Sequence, residues 1–127
     1  MTNDSIVPEV FERLQKATAA HPAELASLYR DYLGEARQTL VQLRNALAQK
    51  DAERFRDRSH YLRGSSLIVG ATVVARCCAS LELTGNKAEF RDATHLLDQT
   101  SIALDAVEVE LRKRFGLAGV AVAGSAA

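Results

Sequence analysis

The sequence predicts an all-α fold: an antiparallel up-down-up-down four-helix bundle with a short N-terminal helix capping one end. Three observations point there. Apolar residues recur at three- and four-residue steps along most of the chain and nowhere alternate with a period of two. With only 2 prolines and 7 glycines in 127 residues, stretches of helix formers run long without interruption. Four amphipathic helices with short connections can bury their apolar stripes only against one another, and a bundle is the economical way to do it.

The elements follow in order. The first helix spans roughly Pro8 to Ala19, with Pro8 in the first turn and Val7, Phe11, Leu14 and Thr18 along one side. "HP" at 21–22 breaks the chain and starts the second helix. Its stripe is the clearest in the protein: Leu25, Leu28, Tyr29, Tyr32, Ala36, Leu40, Leu43 and Leu47. Asp51 opens the third helix, which runs to about Val69 with Ala52, Phe55, Ser59, Leu62, Ser66 and Val69 as its buried seam. Gly70 interrupts it, and Thr72 is the expected N-cap of the fourth, whose stripe is Val73, Val74, Cys77, Cys78 and Leu81. "TGN" at 84–86 is expected to end that helix as a glycine cap. The fifth runs from about Glu89 to Phe115, turning Phe90, Ala93, Leu97, Leu104, Val107 and Leu111 inward, and Gly116 closes it. Residues 1–116 thus make one domain. Residues 117–127, small and uncharged with no period, are expected to form a disordered tail.

Composition excludes several functions. Acids and bases balance at 16 each, so no basic field exists to hold nucleic acid. No apolar run approaches the ~18 residues of a membrane span. "MTNDSIVPEV" lacks the basic and apolar regions of a signal peptide, so the expected location is the cytoplasm. The adjacent Cys77 and Cys78 sit in an apolar stripe as small hydrophobes, with no CxxC spacing for a metal or redox site. The seams use most apolar positions, which makes a monomer the expected state.

Chemistry concentrates in "SHYLRGSS", residues 59–66. At about 100° per residue, His60 lies roughly 160° from the core residue Leu62 and points away from the bundle. Gly64 lies one turn on along the same face, Arg56 one turn back, and Arg63 and Leu67 flank them. A solvated polar face would account for His60 but not for Gly64, since glycine in mid-helix costs about 1 kcal/mol against alanine. Its missing side chain clears room for close approach to the imidazole. Arg56 and Arg63 bring positive charge, and Leu67 is apolar where water is expected, which suits docking. An exposed imidazole is a nucleophile, its ordinary pKa of about 6.5 leaving it largely deprotonated near neutrality. A neighbouring guanidinium offsets the charge of a phosphoryl group placed on it. Metal binding lacks partners: His21 lies in a turn, His95 on the fifth helix, and neither forms an i,i+4 pair with His60. "GSS" lacks the strand–turn–helix setting of a hydrolase nucleophile. Ser65 and Ser66 lie toward the core, where hydroxyls bond back to carbonyls one turn earlier.

The stretch "SHYLRGSSLIVGA" resembles the motif of the histidine-containing phosphotransfer (HPt) family: histidine, any residue, leucine, lysine, glycine, serine, serine or alanine, then a glycine–alanine pair. "CCASLE" resembles the family's next stretch, with Cys78, Leu81 and Glu82 in register. The resemblance covers roughly Pro8 to Phe115 and implies a four-helix bundle with the histidine exposed in mid-helix. It implies that His60 is a phosphoacceptor, taking a phosphoryl group from the aspartate of one response-regulator receiver domain and passing it to another. Arg63, with Arg56, would support the phosphate charge, Gly64 would permit close approach, and Leu67, Arg56 and Arg63 would meet the partner. The run Arg54, Arg56, Arg58 and Arg63 would complement an acidic receiver pocket. The implied partners are receiver domains and a hybrid histidine kinase. No cofactor is implied on this chain, magnesium being expected on the receiver. The chain would be a phosphohistidine carrier and not an enzyme, having no ATP-binding domain of its own. Arg63 departs from the family's lysine, replacing a compact charge by a planar fork. The alternatives are an HPt-fold adaptor or inhibitor that turns over no phosphate, and a module excised from a hybrid kinase; Met1 and the tail favour a stand-alone protein.

Overall fold

The computed structural model describes residues 4–116; the expected tail at 117–127 lies outside them. Among the described residues are five helices and no strand: α1 (Pro8–Ala17), α2 (Ala23–Ala48), α3 (Ala52–Val69), α4 (Thr72–Lys87) and α5 (Ala93–Phe115). Helices α2 to α5 close a ring in which α2 and α4 each pack against both α3 and α5. Pairs across the ring fall in number on one helix as they rise on the other. Arg37 reaches Asp105 (2.7 Å) and Arg44 reaches Asp98 (3.0 Å) between α2 and α5. Tyr29 donates to the Val69 carbonyl (2.9 Å), and the hydroxyls of Tyr32 and Ser66 pair at 2.7 Å, between α2 and α3. The neighbours are antiparallel, as short connections require. No helix among the described residues is long and apolar enough to cross a membrane.

The stripes meet in one core that includes Leu33, Leu43, Phe55, Leu62, Val74, Leu81, Leu97, Leu104 and Leu111. Aromatic rings close both ends. At one, Phe11 of α1 stacks on Tyr29 with centroids 5.7 Å apart, and Phe115 lies 6.0 Å from Phe11. At the other, Phe55 meets Phe90 edge-on at 5.4 Å. Gly70 seats α1 on the first end. Its φ of +82° makes it the left-handed cap of α3, its carbonyl accepts from the Val7 N–H (2.9 Å), and a Cβ there would stand 2.9 Å from Val10 Cβ.

Several helix limits differ from expectation. Helix α1 ends at Ala17, not Ala19. Asp51 caps α3 as expected, accepting from the Arg54 N–H at 3.1 Å. Thr72 is not the N-cap of α4; Ala71 holds that place, and the Thr72 hydroxyl turns back to the Gly70 carbonyl because the chain is still leaving α3. "TGN" does not end α4. The helix runs through Gly85 to Lys87 and is capped by Ala88 in the left-handed region, while Gly85 is buried. Helix α5 starts at Ala93, since residues 89–92 form a turn that lays Phe90 on Phe55. Ser65 bonds back to the Leu62 carbonyl as expected, but Ser66 reaches Tyr32 instead.

Burial sets a limit on alkaline stability. Burial pushes the Tyr29 phenol from its ordinary 10 up to about 12, against the lowering effect of Arg114. Burial, helped by Cys77, pushes the Cys78 thiol from about 9 up to about 12. The unfolded chain therefore releases these protons at lower pH than the folded one, and deprotonation favours unfolding. Stability present below about pH 9 is expected to drain away as pH rises toward 12, read as a falling melting temperature. Cys78→Ala should reduce that slope by up to about 1.4 kcal/mol per pH unit, the worth of one proton. An unchanged slope would show that the thiol does not contribute.

Candidate functional site

His60 stands in the middle of α3 with its side chain 71% exposed, facing away from the core as its helical position requires. The imidazole is not free to spin. Its Nδ1 lies 2.9 Å from Glu82 Oε2 on α4, and the Glu82 side chain is only 20% exposed. A carboxylate accepts and does not donate, so this bond places the proton on Nδ1 and leaves the lone pair on Nε2. The other Glu82 oxygen accepts from Arg63 Nη1 at 3.4 Å. One carboxylate thus holds both the imidazole and the guanidinium from beneath.

Of the expected site residues, His60, Arg63 and Gly64 share the exposed face. A Cβ on Gly64 would meet nothing within 4 Å, so the fold has no steric need of glycine there. Leu67 is 50% exposed on the same side. Arg56 is engaged elsewhere: its Nε and Nη2 donate to Asp57 Oδ1 at 3.0 and 2.8 Å, with Glu53 3.9 Å away. No hydrogen bond or ion pair joins Arg56 to His60 or Glu82, and Glu82 acts on it only at longer range. Arg58 and Arg63 of the run also take separate partners. Arg58 lies over the Tyr61 ring at 5.1 Å, Arg63 turns to Glu82, and Arg56 turns to its own helix.

Two features go beyond the expected set. Glu82 is in register with the family motif, but its bond to His60 is a tertiary fact. One clue to it lies in the chain itself: His60 and Glu82 are each eleven residues from Ala71, the turn of the α3–α4 hairpin, so an antiparallel hairpin brings them level. The second feature is a shallow apolar groove between α2 and α3, lined by Leu28, Asp31, Tyr32, Glu35, Ser65 and Ile68. Ile68 is 68% exposed and Tyr61, whose hydroxyl donates to Glu35, is 44% exposed, so the apolar surface beside His60 extends past Leu67. Its rim is acidic, opposite in sign to the arginine run.

Comparison with known proteins follows this geometry. Residues 27–112 match the model of the Hpt domain family. The chain belongs to the Hpt domain family. Its sequence is 31% identical over 85 residues to multistep phosphorelay regulator 1 of Schizosaccharomyces pombe, a match over 67% of this chain and 28% of that protein. The chain therefore spans little more than a quarter of that curated relative. The fold is that of histidine-containing phosphotransfer protein B from Pseudomonas aeruginosa PAO1, whose crystal structure superposes with a TM-score of 0.82. That likeness covers 89% of this chain and 96% of the other at 23% identity. In this Hpt domain the motif histidine and the motif glutamate are the two ends of one hydrogen bond.

Proposed function

We propose that this chain is a phosphorelay intermediate of two-component signalling, carrying a phosphoryl group on Nε2 of His60. One observation carries the reading: an exposed imidazole, held through Nδ1 by Glu82, stands beside a glycine for which the fold has no steric need. In the forward step the Nε2 lone pair attacks the phosphorus of an aspartyl phosphate on a receiver domain. The phosphorus–oxygen bond breaks, the receiver carboxylate leaves, and the phosphorus–nitrogen bond forms, while Nδ1 keeps its proton against Glu82. Positive charge that develops on the ring is balanced by that carboxylate, and Arg63, beside it, offsets the phosphoryl oxygens. Transfer to a second receiver reverses these steps. The chain supplies position and charge rather than machinery, with magnesium and the acidic pocket coming from the receiver. Leu67, Ile68 and Tyr61 form the apolar surface on which the receiver rests. On this reading the partners are receiver domains, with a hybrid histidine kinase upstream and the cytoplasm as the setting.

The test is to mix the purified protein with a panel of phosphorylated receivers. The expected result is a label on this chain that is lost in acid and kept in base, and that passes on to a second unphosphorylated receiver. No transfer from any receiver in the panel would overturn the proposal. Label that arrives but never leaves would refute the relay step.

A further inference from the structure

We propose that Gly85 is a positioning residue for the His60 site: by letting α4 lie directly on the α3 backbone, it sets Glu82 at bonding distance from Nδ1. For its effect on transfer this rests on the relay role of His60; the placement itself is a property of the unmodified protein. Gly85 lies inside α4, is buried, and is not among the residues with positive φ, so no backbone requirement calls for glycine. Mid-helix glycine costs about 1 kcal/mol against alanine. What it provides is proximity. A Cβ on Gly85 would stand 2.7 Å from Arg56 N, 2.8 Å from Arg56 Cα and 2.9 Å from Arg56 Cβ. The first two are backbone atoms, which cannot rotate away.

Arg56 and Gly85 form one level of the α3–α4 contact, and His60 and Glu82 form the next, one helical turn along. Spacing imposed at the first level is therefore felt at the second. Relieving the clash by an ordinary van der Waals contact means moving α4 outward by about 0.7 Å. The same displacement would stretch the 2.9 Å bond to about 3.6 Å, beyond hydrogen-bond range. The proton on Nδ1 would lose its acceptor, and Nε2 would no longer be kept as the lone-pair nitrogen.

The experiment reads the His60 tautomer by imidazole ¹⁵N NMR in wild type, Gly85→Ala, Glu82→Ala and the double variant, alongside phosphoryl uptake from a receiver. Gly85→Ala is expected to lower the ratio of Nδ1–H to Nε2–H tautomers roughly tenfold, the worth of a hydrogen bond to a charged group. Glu82→Ala should do the same, and the double variant should show no further change in tautomer or uptake. Melting temperature should fall on Gly85→Ala in both backgrounds, which separates packing from positioning. A wild-type tautomer ratio in Gly85→Ala, or a further drop in the Glu82→Ala background, would overturn the proposal. Should Gly85→Ala not fold, Glu82→Asp decides with Gly85 intact, because it withdraws the carboxylate by one methylene. Loss of the tautomer bias supports placement, and its full retention refutes it. Because the tautomer is read without phosphate, failure of uptake with the tautomer pattern intact would count against the relay and not against Gly85.

Discussion

Replacing His60 with glutamine is expected to abolish acid-labile labelling by phosphorylated receivers while leaving the fold untouched. Glutamine keeps the size and polarity, and its amide can still donate toward Glu82, but an amide nitrogen has no available lone pair for attack on phosphorus. The His60 side chain is 71% exposed and is not part of the core, so stability should change by no more than about 0.5 kcal/mol. Labelling and a thermal melt on the same sample check both halves. The chain has two other histidines, His21 in the turn before α2 and His95 on α5, both exposed. Neither has a carboxylate bonded to it, and label retained at the wild-type level in His60→Gln would move the acceptor to one of them.

Gly64→Gln is the second variant with a large expected effect, and its signature is opposite in kind to an ordinary core lesion. The space around Gly64 is open, so the new side chain displaces nothing within the domain. Glutamine is also the better helix former, and stability should stay level or rise by up to about 1 kcal/mol. Transfer should nevertheless fall about 100-fold or more, because an obstruction one turn from Nε2 holds the donor phosphorus outside in-line reach. Gly64→Ala should fall between, since a methyl group obstructs less. Receiver titrations with both variants test this. Wild-type rates in Gly64→Gln would show that the partner does not approach over this position.

The periodicity of each helix was legible because it depends only on neighbours along the same helix. The α2 stripe from Leu25 to Leu43 is buried as its spacing demands except at Leu28, which is half-covered, and the α3 seam from Phe55 to Val69 is buried throughout, with Ala52 and Leu47 half-covered at the ends. The outward face of His60 follows from the same 100° arithmetic, as does the bare approach at Gly64. Gly85 was misjudged for a clear reason. A glycine near the end of a periodic stretch looks like a cap, and nothing local separates a cap from a glycine that makes room for another helix. The ion pairs were equally hidden. The sequence places Arg56 beside His60, but side-chain choice between Asp57 and the imidazole is made by rotamers, not by position on the helix.

What the sequence determined by itself is the helical period, most of the buried seams of α2, α3 and α5, a histidine on an exposed face and the glycine one turn beyond it. Tertiary structure decided the rest: that Glu82 meets Nδ1, that Arg63 and not Arg56 shares that carboxylate, and that Gly85 sets the spacing. The physical reason is range. Direction around a helix accumulates residue by residue and can be read along the chain. A 2.9 Å hydrogen bond between two helices depends on how closely their backbones approach, and that distance exists only once they pack.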